Sequence, residues 1–151
     1  MFLTVHSAAG LALAQYIKNP LLAFITGFIS HYIFDIIPHG DTNAPKKYYN
    51  IIYLTTIGIF DLAVTSSFFL LLMLFRNKLL TLAEICAIVG SLMPDGLQVL
   101  YFIFPRQKHL LKIQKIHKFF HDLISKKLEF SLPVGIIFQL IIFSILIIIS
   151  L

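Results

Sequence analysis

The sequence predicts an all-α integral membrane protein, with about five membrane helices and one amphipathic surface helix. Three observations carry that prediction. Of the 151 residues, 58% are hydrophobic and 13% are charged, with a mean hydropathy of +0.89. A soluble domain is nearer half apolar and a quarter charged. The apolar residues also fall in long runs broken by short polar or proline-bearing turns. One segment departs from this pattern and alternates apolar and basic residues at helical spacing. The length suits a single helical domain over 1–151.

The first helix is expected over 2–17. It is rich in small residues (Ala8, Ala9, Gly10, Ala12, Ala14), which let membrane helices approach closely. No Lys or Arg precedes it, so it reads as a retained helix rather than a signal peptide. Lys18 and Asn19 form a short turn, and Pro20 suits the first turn of a helix over 20–37. So short a turn makes the first two helices an antiparallel hairpin. A polar loop with Pro45, Lys46 and Lys47 follows. The third helix, 51–75, is a long apolar run interrupted by Asp61. Arg76, Asn77 and Lys78 turn the chain. Thr81 and Glu84 have capping-box spacing at the start of the fourth helix, 81–104, which contains Pro94 and stops at Pro105. In 106–127, Ile113, Ile116, Phe120 and Ile124 recur at helical spacing, with Lys115, Lys118 and Lys126 opposite. This is the amphipathic surface helix. The last helix, 133–151, is almost wholly apolar. Cys86 is the single cysteine and lies in an apolar run, so it reads as packing.

Threading these helices through a bilayer separates the basic residues. Lys46, Lys47, Arg106, Lys108, Lys112, Lys115, Lys118, Lys126 and Lys127 fall on one side. Lys18, Arg76 and Lys78 fall on the other. The positive-inside rule makes the first side cytoplasmic, so the expected location is a bacterial inner (plasma) membrane. The net charge of +5 then points to membrane lipid, with anionic headgroups meeting the basic surface helix. No nucleic-acid motif appears.

The candidate site lies on that same side. The stretch 30–41 reads SHYIFDIIPHGD. His31 and Asp35 lie four apart, about 40° apart on one helical face. His39 and Asp41 follow Pro38. His6, Asp95, His109, His117 and His121 map to the same membrane face. His31 with Asp35, and His117 with His121, each offer two ligands from adjacent helical turns, a geometry that helix-borne metal sites use. Imidazole with carboxylate suits zinc, and also iron or manganese. The expected metal ligands are therefore His6, His31, Asp35, His117 and His121. Asp95, Asp41 and His39 are the expected catalytic groups. Ionisable groups at membrane depth need partners, and Gly27, one turn before His31, lets that face approach another helix. Glu84, Ser91, Asp95 and Gln98 share one polar stripe of the fourth helix. Asp61 reads as a network partner and His109 as packing.

The segments FLTVHSAAG, SHYIFDIIPHGD, GSLMPDG and HKFFHD resemble those of small bacterial membrane proteins grouped with the YdjM-type membrane-bound metal-dependent hydrolases. More distantly, HxxxD followed by a histidine resembles zinc-dependent phospholipase C. The resemblance implies His6, His31, Asp35, His39, Asp95, His117 and His121 as metal or catalytic residues. The family's proline–aspartate–x–aspartate motif is shortened here, because Leu97 stands where its second aspartate would be.

Together these features predict a metal-dependent hydrolase acting on a phospholipid or lipid-linked phosphoester or ester at the cytoplasmic face. One alternative is a non-enzymatic scaffold or regulator whose His/Asp network only holds helices together. The other is a metal or proton carrier using Asp35, Asp61 and Asp95.

Overall fold

The computed structural model describes residues 1–40, 51–128 and 130–151. Its described residues form six helices and no strand: α1 (Leu3–Ala14), α2 (Pro20–Asp35), α3 (Ile51–Arg76), α4 (Leu82–Ile103), α5 (Lys108–Leu128) and α6 (Leu132–Ser150). Local chemistry explains the starts and stops. Asn19 Oδ1 accepts the Leu21 and Leu22 N–H groups at 3.0 and 3.1 Å, with Pro20 in the first turn of α2. The last turn of α2 closes at Asp35, because Pro38 disfavours helix at the residue before it. After Arg76, Asn77 takes the left-handed conformation (φ 47°), and Lys78 N–H returns to the Met73 carbonyl at 3.2 Å. The capping box at α4 is formed. Glu84 N–H donates to Thr81 Oγ1 at 3.3 Å, and Thr81 N–H donates to Glu84 Oε2 at 2.6 Å.

Among the described residues, three helices are long and apolar enough to cross a membrane: α3 over its residues Thr55–Arg76, α4 and α6. This is fewer than the five spans read from the sequence. The shortfall lies in α1 and α2, which have 12 and 16 residues. At 1.5 Å per residue they reach about 18 and 24 Å, against a hydrocarbon core of about 30 Å. α1 stops at Ala14 because Gln15 turns its amide back to the Leu11 carbonyl at 3.2 Å and toward Glu84 at 3.4 Å.

α1 is the centre of the bundle. Every residue from Val5 to Ala12 is buried, and Ala14 is buried as well. α2, α3, α4 and α6 surround it, and α5 packs chiefly on α4 and α2. Its first turn is capped from another helix: Asp61 of α3 accepts the Leu3 N–H at 2.5 Å, the Thr4 N–H at 3.3 Å and the Thr4 hydroxyl. The outer surface is apolar, with Phe60, Leu71, Phe75 and Ile148 among many exposed side chains.

The tightest crossing joins α2 to α4. A Cβ on Gly27 would lie 2.2 Å from the Ala87 carbonyl oxygen, and one on Gly90 would lie 2.2 Å from that of Phe24. Gly10 brings α1 onto the same turn of α4, its Cβ position 2.6 Å from the Ala87 oxygen. These contacts admit only glycine. They also set the site. His6 is one turn before Gly10, His31 one turn after Gly27, and Asp95 one turn after Ser91.

A candidate metal centre

Five ionisable side chains from four helices meet at one end of the bundle: His6 of α1, His31 and Asp35 of α2, Asp95 of α4 and His117 of α5. Asp35 is the hub. Its Oδ2 lies 3.1 Å from both His31 Nε2 and His117 Nε2, and its Oδ1 lies 3.1 Å from His6 Nε2. The Met1 amino group is 3.1 Å from Asp35 Oδ1 and 2.8 Å from His39 Nε2. Asp95 Oδ1 stands at 3.7 Å from His31 Nε2 and 4.0 Å from His117 Nε2. His6, His31, Asp35 and His117 are buried, whereas the Asp95 side chain is 22% exposed.

The hydrogen bonds fix how His31 presents itself. Its Nδ1 lies 2.8 Å from the Ser91 carbonyl oxygen. A carbonyl can only accept, so Nδ1 carries the hydrogen. In the neutral ring, Nε2 then holds a lone pair aimed at two carboxylate oxygens. Lone pairs converge there without a hydrogen, and either a second proton on the ring or a metal cation between them resolves the conflict. A backbone carbonyl holding the second ring nitrogen is also the usual outer support of a metal-bound histidine. Buried His6 Nδ1, His31 Nε2 and His117 Nδ1 make no hydrogen bond.

Ligand spacing supports the same point. Zinc binds nitrogen and carboxylate oxygen at about 2.0–2.2 Å, which puts neighbouring ligand atoms about 3.3–3.6 Å apart in tetrahedral and about 2.8–3.1 Å apart in octahedral geometry. The 3.1 Å separations around Asp35 Oδ2 meet the octahedral spacing and are also those of ordinary hydrogen bonds. Two overlapping groups have ligand atoms all within 4.8 Å of one another: His31, Asp35 and His117, and His6, His31 and Asp95. These buried groups can hold a metal ion. His31 offers only Nε2, so the two groups describe one centre seen from two sides.

Not every expected residue joins it. His121 is absent from both groups; its ring stands edge-on to His39 with centroids 5.0 Å apart. His39 turns its Nδ1 to the Ile37 carbonyl at 2.7 Å and sits at the edge of the cluster. His109 is exposed on α5. Asp41 lies outside the described residues. Asp61 serves as the cap of α1. Glu84 belongs to the opposite end, where Arg76 reaches it at 3.3 Å.

One buried polar residue has no counterpart in the sequence reading. Gln139, within apolar α6, accepts the Phe2 N–H at 2.8 Å and donates to the His39 carbonyl at 3.0 Å. It ties the start of α1 to the exit of α2. Its amide in a helix otherwise free of charged and amide side chains was the available signal. Gly135, one turn earlier, lets His39 approach α6, since a Cβ there would lie 2.2 Å from the His39 oxygen.

Comparison with protein-family models, curated proteins and solved structures finds no match.

Proposed function

We propose that this protein is a metal-dependent hydrolase of a bacterial inner membrane, acting on a phosphoester or ester bond of a phospholipid or lipid-linked phosphate. The observation that carries the reading is the buried meeting of three imidazoles and two carboxylates from four helices. His31, Asp35 and His117 would hold the ion, with His6 and Asp95 beside them. Zinc fits this donor set, and iron or manganese would also accept it. Such an ion, when bound, polarises an ester or phosphoryl oxygen and acidifies a water. Asp95 is the one cluster carboxylate open to solvent, so it is placed to take a proton from an incoming water. The Ser91 carbonyl holds His31 in its tautomer, and the glycine crossing holds Ser91 against it. α1 completes the membrane domain at its centre, and α2 joins the longer helices around it. The excess of Lys and Arg at the site end faces the cytoplasm. The resemblance to membrane-bound metal-dependent hydrolases supports the same assignment.

Elemental analysis of detergent-purified protein tests it directly. The expected result is one equivalent of metal in the native chain and loss of that metal in His31→Ala and His117→Ala. Asp95→Asn should keep the metal and lose release of product from a mixed phospholipid substrate. Metal-free native protein that neither binds nor is stabilised by added zinc, iron or manganese refutes the assignment. That outcome would leave the cluster as a bonded knot between helices.

A further inference from the structure

α5 has two unlike faces, and they point to a lipid-coupled site. His117 faces inward, within 3.1 Å of Asp35. At 3.6 residues per turn, Lys108, Lys112, Lys115 and Phe119 lie about 140–180° around the helix from it. All four are exposed, Phe119 at 62%. Lys118, 68% exposed, flanks them and pairs with Asp122 at 3.1 Å. Asp122 is the only acidic residue of α5. Lys115, Lys118, Phe119, Asp122 and Leu123 line one shallow open pocket. Basic heads ringing exposed apolar side chains are what a headgroup layer accepts: the lysines meet phosphates while Phe119 and Leu123 enter the acyl boundary. The same helix delivers one ligand to the centre from the other side.

We infer that the outer face of α5 docks on anionic lipid headgroups, and that this docking and metal binding through His117 strengthen each other. The inference rests on the metal centre proposed above. Lipid that holds α5 against the bundle favours the arrangement in which His117 meets Asp35. By reciprocity, an ion bound there holds α5 in the pose that presents its lysines. The partner is the phosphate-bearing surface of the host membrane, chosen by charge: four exposed lysines against one aspartate that is already paired.

The full-length protein in nanodiscs tests this, with zinc alone as the metal probe. Zinc affinity is measured by calorimetry in phosphatidylcholine discs with and without phosphatidylglycerol. The expected result is binding at least about fivefold tighter with phosphatidylglycerol, the lower bound of typical coupling between sites. The triple variant Lys108→Gln/Lys112→Gln/Lys115→Gln should bind zinc equally in both discs, at the phosphatidylcholine value. Docking has its own readout. The chain has no tryptophan, so Phe119→Trp supplies a single reporter, and brominated phosphatidylglycerol should quench it. Equal zinc affinity of the native chain in both discs overturns the coupling. An unquenched reporter overturns the docking. A gain from soluble polyglutamate but not from phosphatidylglycerol overturns the lipid assignment in favour of an acidic macromolecule. Quenching with no zinc binding in either disc overturns the metal centre itself, and the coupling with it.

Discussion

Gly27→Ala is the sharpest perturbation of the site that leaves every ligand in place. The new methyl would sit 2.2 Å from the Ala87 carbonyl oxygen and 3.1 Å from the Ser91 nitrogen. Ordinary contact begins near 3.4 Å, so α2 must withdraw from α4 by roughly 1 Å, because packed interiors offer no slack. Overpacking of this kind costs about 1–3 kcal/mol. Alanine's better helix propensity offsets about 0.5–1 kcal/mol of it. The effect on the centre is separate. His31 is one turn on from Gly27, and its Nδ1 bond to the Ser91 carbonyl, now 2.8 Å, would stretch beyond bonding range. Losing such outer support lowers metal affinity about 10–100-fold. Thermal melts in detergent and zinc calorimetry read the two effects independently. Gly58→Ala is the control, since nothing lies within 4 Å of its Cβ position, and it should match or slightly exceed the native melting temperature. A Gly27→Ala protein that melts and binds zinc as the native chain does would show that the crossing does not position His31.

Three further perturbations separate scaffold from site. Asp61→Ala removes the acceptor for Leu3 and Thr4 and should cost about 0.5–2 kcal/mol, the usual range for a lost helix cap, seen as a lower melting temperature. Glu84→Ala breaks the capping box at the far end; it should lower stability by about 1 kcal/mol and leave zinc affinity unchanged. Gln139→Leu leaves the His39 carbonyl and the Phe2 N–H without their partner. It should destabilise by about 1–3 kcal/mol, and Gln139→Glu, whose protonated carboxyl can accept from Phe2 and donate to the His39 carbonyl, should restore part of that loss at acidic pH. Equal melting of both Gln139 variants would refute its bridging role.

The helices were legible because their punctuation is local. Pro20, the Thr81–Glu84 pair and Pro105 each act within a few residues, so the spacing alone placed the elements. The lengths of α1 and α2 were not. Nothing between Ala14 and Ile17 breaks a helix by itself; Gln15 ends it by reaching the Leu11 carbonyl and, 69 residues away, Glu84. His31 and Asp35 could be paired from their i, i+4 spacing. Gly27 marked the face that packs closely. His117 was expected to pair with His121, yet the two point to different neighbours. A step of four residues still turns a helix by about 40°, and α5 lies so that only His117 enters the cluster. Asp61 and Gln139 depend on contacts between distant helices, which no window of sequence displays.

The hub carboxylate also has a history set by chain order. Asp35 enters the bundle with α2, when of its partners only Met1, His6 and His31 have been made. Asp95 and His117 follow much later, on α4 and α5. Until they arrive, a buried carboxylate waits in an incomplete shell, and an ionisable group left so at membrane depth costs free energy. An early half-bundle of α1 and α2 is therefore poorly suited to settle alone. Maturation of this protein should consequently behave as a late event, complete only when α5 has brought His117 to Asp35 and α6 has joined Phe2 to the His39 carbonyl through Gln139.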